Sequence, residues 1–442
     1  MLSWFVLLLF AFDGLLWAEW MNTLDQLSWL SLAWGLLAIA SVECVRDVYH
    51  ALCHVWKPLY RLHVWHHRVF RPDLTPISAD IYQKAHWYND VPESLVMLAF
   101  ASLGLGLAVY WNDQLWGTGA AIIYSVTFLL TAMGRGAGVP GMEEWTDSTH
   151  RPGAFDAIPS QGRVNRSYHW RHHFDNQNAY FCGTFTIVDR IMGTALSLKG
   201  KTVAVTGASG TLGRSLLYQL HLQGAKPIAL TSGEQQIQIT VEDRAVDIPT
   251  ISWQVGQESE LEERLQKIDI LILNHGVNVH GDRTPEAIET SYQVNAFSTW
   301  RLMELFLKTI DSNRDMACKE VWVNTSEAEV SPAFSPLYEL TKRTIGDLVT
   351  LRRLDAPCIV RKLILGPFKS NLNPIGVLSA NWVAEQIIHQ AKADSRNIIV
   401  TINPLTFLAF PIKEWCNSLY FQCFSQKATP LDPETETQQQ EV

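Results

Sequence analysis

Four apolar runs constrain this chain before anything else: residues 2–18 (LSWFVLLLFAFDGLLWA) and 27–45, then 95–111 and 115–133. Each approaches the roughly 20 mostly apolar residues that a bilayer-spanning helix requires. The short joints within each pair, residues 19–26 and 112–114, contain no Lys or Arg. Two helical hairpins, and so four spans, are expected. A cleaved signal peptide is not expected, because Asp13 interrupts the first run, no basic stretch precedes it and a second run follows at once. Between the hairpins lie Arg46, Lys57, Arg61, Arg68, Arg71 and Lys84. The positive-inside rule then places that segment, both termini and everything after residue 134 on the cytoplasmic side. The expectation is an integral, multi-pass membrane protein with its catalytic parts in the cytoplasm.

Composition supports a chain of two unlike halves. Only 18% of the 442 residues are charged and 47% are apolar, against about 25% charged in an average globular protein. That apolar content excludes a disordered chain, and the length excludes a disulfide-stapled miniprotein. A net charge of −9 without a basic face argues against a nucleic-acid partner. Seven dispersed cysteines with no CxxC pair suit a reducing compartment. Ten of the 14 histidines and twelve of the 17 tryptophans precede residue 200.

Those histidines are patterned. The stretch DVYHALCHVWKPLYRLHVWHH sets His50 and His54 four apart and His63, His66 and His67 as HxxHH. A second HxxHH recurs at His169, His172 and His173, with His150 upstream. Spacings of three and four place side chains on one helix face, and neutral imidazole ligates Fe, Zn, Cu and Ni. Nine candidate ligands exceed what one ion takes, so two ions sharing eight or nine histidines is the economical arrangement. His86 fits neither box, and ligation and a supporting role are equally open for it. His221, His275, His280 and His389 are isolated and are expected to be ordinary structural residues.

Over roughly residues 30–195 these motifs resemble the fatty acid hydroxylase/sterol desaturase superfamily. The resemblance rests on His50–His54, His63–His67 and His169–His173, and on NAYFCGTFTIVDRIMGT after the last box, with Asp189, Arg190, Gly193 and Thr194. Thr146 stands where many members have the first His of an extra HxxxH, leaving Glu143, Glu144 or Asp147 as substitute ligands, and Val188 replaces a usual Trp. The resemblance implies a di-iron centre, two Fe held by the box histidines. Such a centre activates O2 against a lipid C–H bond, with a separate ferredoxin- or cytochrome-type electron donor. Imidazole by itself does not distinguish Fe from Zn.

From Lys199 the texture changes. KGKTVAVTGASGTLGRSLLYQLHLQGAKPIAL reads strand, glycine turn, helix, strand, and DILILN, EVWVNTS and CIVRKLIL follow between helical stretches. This is the pattern of a doubly wound parallel α/β sheet. The turn holds Gly207, Ser209, Gly210, Thr211, Leu212 and Gly213, where glycines allow a dinucleotide pyrophosphate to approach a helix N-terminus. Asn274 and Gly276 (NHGV), Asn295, Ser326 (VNTS) and Tyr338–Lys342 (YELTK) follow in order.

Together they resemble the short-chain dehydrogenase/reductase family over about residues 199–410. The resemblance implies Tyr338 as general acid/base, Lys342 lowering its pKa and contacting the nicotinamide ribose, Ser326 orienting a carbonyl, Asn295 supporting a proton relay, and Gly366–Pro367 facing the nicotinamide. An unassisted tyrosine near pKa 10 is a poor base at neutral pH. Ser326 lies twelve residues before Tyr338, so Thr325 competes for its role. The TGxxGxxG spacing is closer to the family's extended branch, and Val255–Gly256 replaces the usual adenine-contacting Asp. Thr231–Ser232 occupies the place of an NAD-selective acid, with Arg214 nearby, which favours NADP over NAD.

The expected architecture is thus a multi-pass helical membrane domain with a histidine-box di-metal cap (1–195), a Rossmann-type domain (199–425) and a disordered tail (432–442). The apolar segment 398–412 is broken by Pro404 and Pro411, so a further span is not expected there. The expected function is a bifunctional lipid-modifying oxidoreductase. It would pair O2-dependent hydroxylation or desaturation with NAD(P)-dependent alcohol/carbonyl interconversion. Two alternatives keep the same fold: a fatty-aldehyde-processing enzyme of the wax or alkane type, and a membrane scaffold whose nucleotide domain senses NADP.

Overall fold

The computed structural model describes residues 29–111, 115–373 and 375–426. The expected span at 2–18 and the tail from 432 lie outside the described residues. By contacts, the chain divides into two compact units. The described residues up to Gly153, with Phe181–Val188, form the first; Ala154–Tyr180 and those from Asp189 onward form the second.

The first unit is helical. Its long elements are α1 (Trp29–Val55), α2 (Lys57–Arg68), α3 (Ala79–Trp111, with one π-helical turn at His86–Asp90) and α4 (Leu115–Gly136). Three helices, Trp29–Val55, Ala79–Trp111 and Trp116–Gly136, are long and apolar enough to cross a membrane. The 27 residues of α1 rise about 40 Å, roughly 10 Å more than a hydrocarbon core. Its last turns, with His50 and His54, therefore continue the span as one helix. Helices α1 and α4 meet closely at Gly117, where an added Cβ would lie 2.8 Å from the Trp34 Cβ. Small residues at such a crossing let helices pack without a hydrophobic driving force. Around it Val42, Met97, Ala101 and Ala121 form a small apolar core.

Below that core the interior is ionic. Arg46 pairs with Glu43 at 2.7 Å, Tyr124 donates to Glu43, and Asp47 accepts the Gly183 backbone N–H at 3.0 Å. A side chain at Gly183 would meet the Arg46 guanidinium at 2.1 Å. This fixes the segment Phe181–Val188 against α1.

The second unit is built on a seven-stranded parallel sheet in the order β5-β2-β1-β6-β7-β8-β9. Its strands are β1 (Thr202–Thr206), β2 (Lys226–Thr231), β5 (Thr250–Ser252), β6 (Ile270–Leu273), β7 (Glu320–Asn324), β8 (Ile359–Leu365) and β9 (Asn397–Val400). An antiparallel hairpin, β3 (Ile237–Val241) and β4 (Arg244–Ile248), lies between β2 and β5 in sequence. The doubly wound parallel sheet expected from the sequence is present. Alternation along the strands divides two cores. Val203, Val205, Ile270, Ile272 and Trp322 face one side; Ala204, Leu271, Leu273, Val321 and Val323 face the other. On that first side pack α6 (Thr211–Leu222) and α9 (Ala380–Lys392); on the second pack α7 (residues 285–307) and α8 (Pro336–Arg352). A last helix, α10 (Thr406–Phe424), carries Pro411 within it. It follows the strand β9, which occupies the first part of the segment 398–412, after a five-residue turn.

The division by contacts departs from the boundary near residue 195 that sequence texture suggests. The helix of the last histidine box, α5 (Arg166–Phe174), belongs to the sheet unit. Arg171 is buried between the Tyr168 and Tyr180 rings, 4.6 and 4.4 Å from their centres. Lys201, just before β1, pairs with Asp175 at 2.6 Å, and Tyr180 accepts the Ser197 N–H at 2.8 Å. The preceding loop is tied in as well: Asn313 accepts the Phe155 N–H, Gln161 donates to the Asp394 carbonyl and Arg396 to that of Pro159.

Candidate active site and histidine clusters

Strand order reverses between β1 and β6, and there the carboxyl ends of the strands open a cavity of about 1510 Å³. Open α/β sheets bind ligands at this position. Gly207, Ser209, Gly210, Thr211, Leu212, Asn274, Gly276, Ser326, Tyr338 and Lys342 all line it. Gly213 and Asn295 lie behind the lining.

The glycine turn is shaped for close approach. Gly207 has φ +61°, and a Cβ on Gly213 would stand 2.3 Å from the Gly207 carbonyl oxygen. Helix α6 starts at Thr211 with Gly210 as its cap and no side chain closing its first N–H groups. Free N–H groups and the helix dipole there favour an anion. A nicotinamide dinucleotide fits this cradle by its pyrophosphate. Thr231 and Ser232 line the cavity, whereas Arg214 does not, donating instead to the Ser209 and Gln238 carbonyls.

Beside the cradle, Tyr338 and Lys342 lie one turn apart on α8, with the Lys342 ammonium 5.7 Å from the Tyr338 ring centre and donating to the Asn324 carbonyl at 2.7 Å. Burial lowers the Lys342 pKa to about 8. Burial raises that of Tyr338, and a hydrogen bond from Ser326 offsets part of the rise. Ser326 takes the unusual φ of +92° and lines the cavity, its hydroxyl oxygen accepting the Ala328 N–H at 3.2 Å, while Thr325 is buried outside the lining. Asn295 sits on a π-helical stretch of α7 (Gln293–Ser298). Its carboxamide clamps Val277, accepting from that N–H at 2.8 Å and donating to that carbonyl at 2.9 Å, and donates to Thr341 on α8. Gly276 leaves room for it, since a Cβ would approach Asn295 Oδ1 to 3.1 Å.

Sequence reasoning missed Glu327. This buried carboxylate lines the cavity and accepts hydrogen bonds from Thr401, at 2.7 Å, and Thr406. Its position directly after Ser326 was the available signal.

The histidines cluster within each unit. In the first, His50, His54, His63 and His67 offer ring nitrogens all within 4.8 Å of one another, and His66 and His150 do likewise. The Nε2 atoms of His63 and His67 are 2.9 Å apart, and those of His67 and His54 3.3 Å. In the second unit the Nε2 atoms of His169 and His173 are 3.1 Å apart. Nitrogens bound roughly 2.0–2.1 Å from one ion at about 90–110° lie about 2.9–3.4 Å apart, so this donor set fits a metal. Several rings are oriented from behind through Nδ1: His63 by Asn89 at 2.6 Å, His150 by Asp147 at 2.6 Å and His172 by the Ala179 carbonyl at 2.8 Å. Such partners fix the tautomer of a ligating histidine. Burial lowers the His63 pKa to about 4, which keeps the ring neutral.

The substitutes considered for the missing box residue take other places. Asp147 backs His150, Glu143 and Glu144 are exposed, and Thr146 accepts from Arg135 at 2.7 Å. His86 stands apart, held by Asp90 at 2.5 Å. His221, His275, His280 and His389 join no cluster among the described residues.

The chain is 60% identical over 410 residues to the monoglucosyldiacylglycerol epimerase of Synechocystis sp., across 90% of this chain and all of that relative. The chain belongs to the monoglucosyldiacylglycerol epimerase family. Residues 201–355 match the short chain dehydrogenase family model, so the sheet unit is a short-chain dehydrogenase domain and the protein is an enzyme. Solved structures are more distant. A short-chain dehydrogenase from Burkholderia cenocepacia in complex with NADP is 18% identical over 52% of this chain and all of that one, with a TM-score of 0.42. One from Sphingobium yanoikuyae in complex with NADPH is 17% identical over 52% of this chain and 99% of that one, with a TM-score of 0.41.

Proposed function

We propose that this enzyme inverts one carbinol centre on the sugar of a monoglucosyldiacylglycerol, using the dehydrogenase cavity in both directions of a single cycle. Identity of 60% over 90% of the chain to an epimerase of that name, joined to a Tyr338–Lys342–Ser326 arrangement facing a dinucleotide cradle, carries the reading. A bound nicotinamide dinucleotide supplies hydride acceptance and hydride return. The protein supplies the rest. Tyr338 takes the hydroxyl proton as the carbon is oxidised and gives it back as the opposite face is reduced. Lys342 holds a positive charge beside the phenol and favours its ionised form, while Ser326 steadies the substrate oxygen through both halves. Asn295 fixes Val277 at the edge of the site and ties that edge to α8. Because both faces of the transient ketone must be presented, the sugar has to turn, and a cavity of about 1510 Å³ leaves space for that. Such a cycle is redox-neutral, so the dehydrogenase site needs no external oxidant. Either NAD or NADP serves the scheme, with Thr231 and Ser232 in place of an acid favouring NADP. The test is purified full chain with monoglucosyldiacylglycerol and dinucleotide, followed by sugar analysis of the hydrolysed product. Appearance of an epimeric hexose without net dinucleotide turnover is expected, and recovery of glucose alone overturns the reading.

A second activity is proposed for the histidines. The Nε2 spacings of 2.9 and 3.3 Å in the first unit and 3.1 Å in the second favour metal ligation by His50, His54, His63, His66, His67 and His150 of the one and by His169, His172 and His173 of the other. Two Fe would supply O2 activation against a lipid C–H bond, the hydroxylase or desaturase chemistry of the resembling superfamily, with a separate electron donor and the cytoplasmic side as its location. About two metal ions per purified chain are expected. A metal-free chain with unchanged lipid chemistry overturns this second reading.

A further inference from the structure

Helix α10 is anchored by one face and bare on the other. Phe410 is fully buried, and Glu414, one turn on, accepts from Lys362 at 2.6 Å, Thr350 at 3.0 Å and Arg353 at 2.9 Å. Lys413 reaches inward to Glu329 at 2.6 Å and Asp347 at 2.8 Å, and Asn417 also donates to Asp347. These are the only charged residues in the helix, so nothing ionic remains for its outer face. That face carries Leu405, Leu408, Ile412, Trp415 and Leu419, spaced three and four apart and each 42% to 69% exposed. Residues at that spacing form a single stripe.

The stripe runs into the cavity. Ile402, Leu405 and Ala409 line it, and across its mouth Phe334 and Ile375 are 95% and 90% exposed. Apolar side chains from separate loops and one helix thus share the lining of the cavity with its polar groups. Removing such hydrocarbon from water is favourable in proportion to the area covered, so a face of this kind gains by being covered.

We propose that the outer face of α10 is a bilayer-docking surface, which sets the mouth of the dinucleotide cavity against the lipid from which its substrate is taken. Two observations favour a bilayer over a second copy of the chain. A paired helix would cover the stripe but leave the exposed Phe334 and Ile375 of the mouth unexplained, and specific helix pairs set partner choice with flanking charges that this face lacks. Trp415 and Tyr420 suit the headgroup level. The docking stands independently of the epimerase reading; only the identity of the lipid drawn in rests on it.

The experiment uses the full chain reconstituted in phosphatidylcholine vesicles, with Leu408→Cys carrying an environment-sensitive fluorophore in a Cys416→Ser, Cys423→Ser background. Quenching by nitroxide on the lipid acyl chains is expected. Quenching by aqueous iodide alone overturns the proposal, as does a shielded signal that follows the protein-to-lipid ratio, the signature of a second copy. In parallel, Leu408→Glu with Leu419→Glu should slow turnover of vesicle-borne lipid at least about tenfold while sparing the same lipid in detergent micelles. Equal rates on both overturn it. If the unmodified chain epimerises neither form, the epimerase reading falls and the quenching result still decides docking.

Discussion

The two units have opposite insides. In the sheet unit Val203, Val205, Ile270, Ile272 and Trp322 are fully buried, and the reactive groups gather at one end of that apolar core. In the helical unit α1 buries Glu43, Arg46, Asp47 and His50 while Leu30, Leu32, Leu36 and Leu37 face outward, each about half exposed or more. A chain folded against water hides hydrocarbon; one folded against hydrocarbon can leave it outside and reserve its interior for polar chemistry. The sheet unit can therefore lose its chemistry and keep its fold. In the helical unit site and interior are the same residues.

The largest expected effect sharpens that contrast. Tyr338→Phe should lower epimerisation about 10²- to 10⁴-fold with unchanged dinucleotide binding and melting temperature; a lowered melting temperature would break the separation of site from core. Next, Glu320→Gln removes one of the two carboxylates on the buried Arg361, which it meets at 2.8 Å, and leaves Asp394 at 2.9 Å as the remaining partner; it should cost about 1–3 kcal/mol in denaturant unfolding. Asn89→Ala removes the acceptor behind His63 and should weaken metal binding about 10- to 100-fold, measured by competition with a chelator, with no change in dinucleotide affinity. Gly213→Ala pushes a methyl onto backbone atoms 2.3 and 2.7 Å away. About 1–3 kcal/mol of stability should be lost, with weaker dinucleotide binding by titration.

A last effect is in pH. Lys342 has its pKa lowered by burial from 10.5 to about 8, so the unfolded chain binds the proton more tightly. Stability contributed by the neutral amine is present above about pH 10.5 and is lost as pH falls to about 8. Lys342→Met should flatten that slope in melting curves, giving a variant more stable than the parent at pH 7 yet inactive.

Legibility followed locality. The glycine turn, Asn274, Ser326 and the Tyr338–Lys342 pair were visible because each motif is short and its neighbours in space are its neighbours in sequence, and strand alternation announced the sheet. The outer helices were visible by length and hydropathy. What stayed hidden depends on distant partners: Asn89 behind His63, 26 residues away, and Arg135 occupying Thr146. The π-helical stretch that presents Asn295 leaves no compositional trace either. The membership of α5 in the sheet unit was hidden for the same reason, since RSYHWRHHF reads as one more histidine box whichever surface it folds against.

That last feature bears on how the molecule can be taken apart. The Arg171 guanidinium held between Tyr168 and Tyr180, with Lys201 reaching back to Asp175, makes the lead-in to β1 the floor on which His169, His172 and His173 are laid. A fragment cut at residue 195 would retain those three imidazoles and the Arg171 sandwich but lose Lys201 and the Ser197 N–H, which hold Asp175 and Tyr180 from below. Genetic separation of the two halves is thus asymmetric: the tidy place to cut by motif is not a place where the protein comes apart.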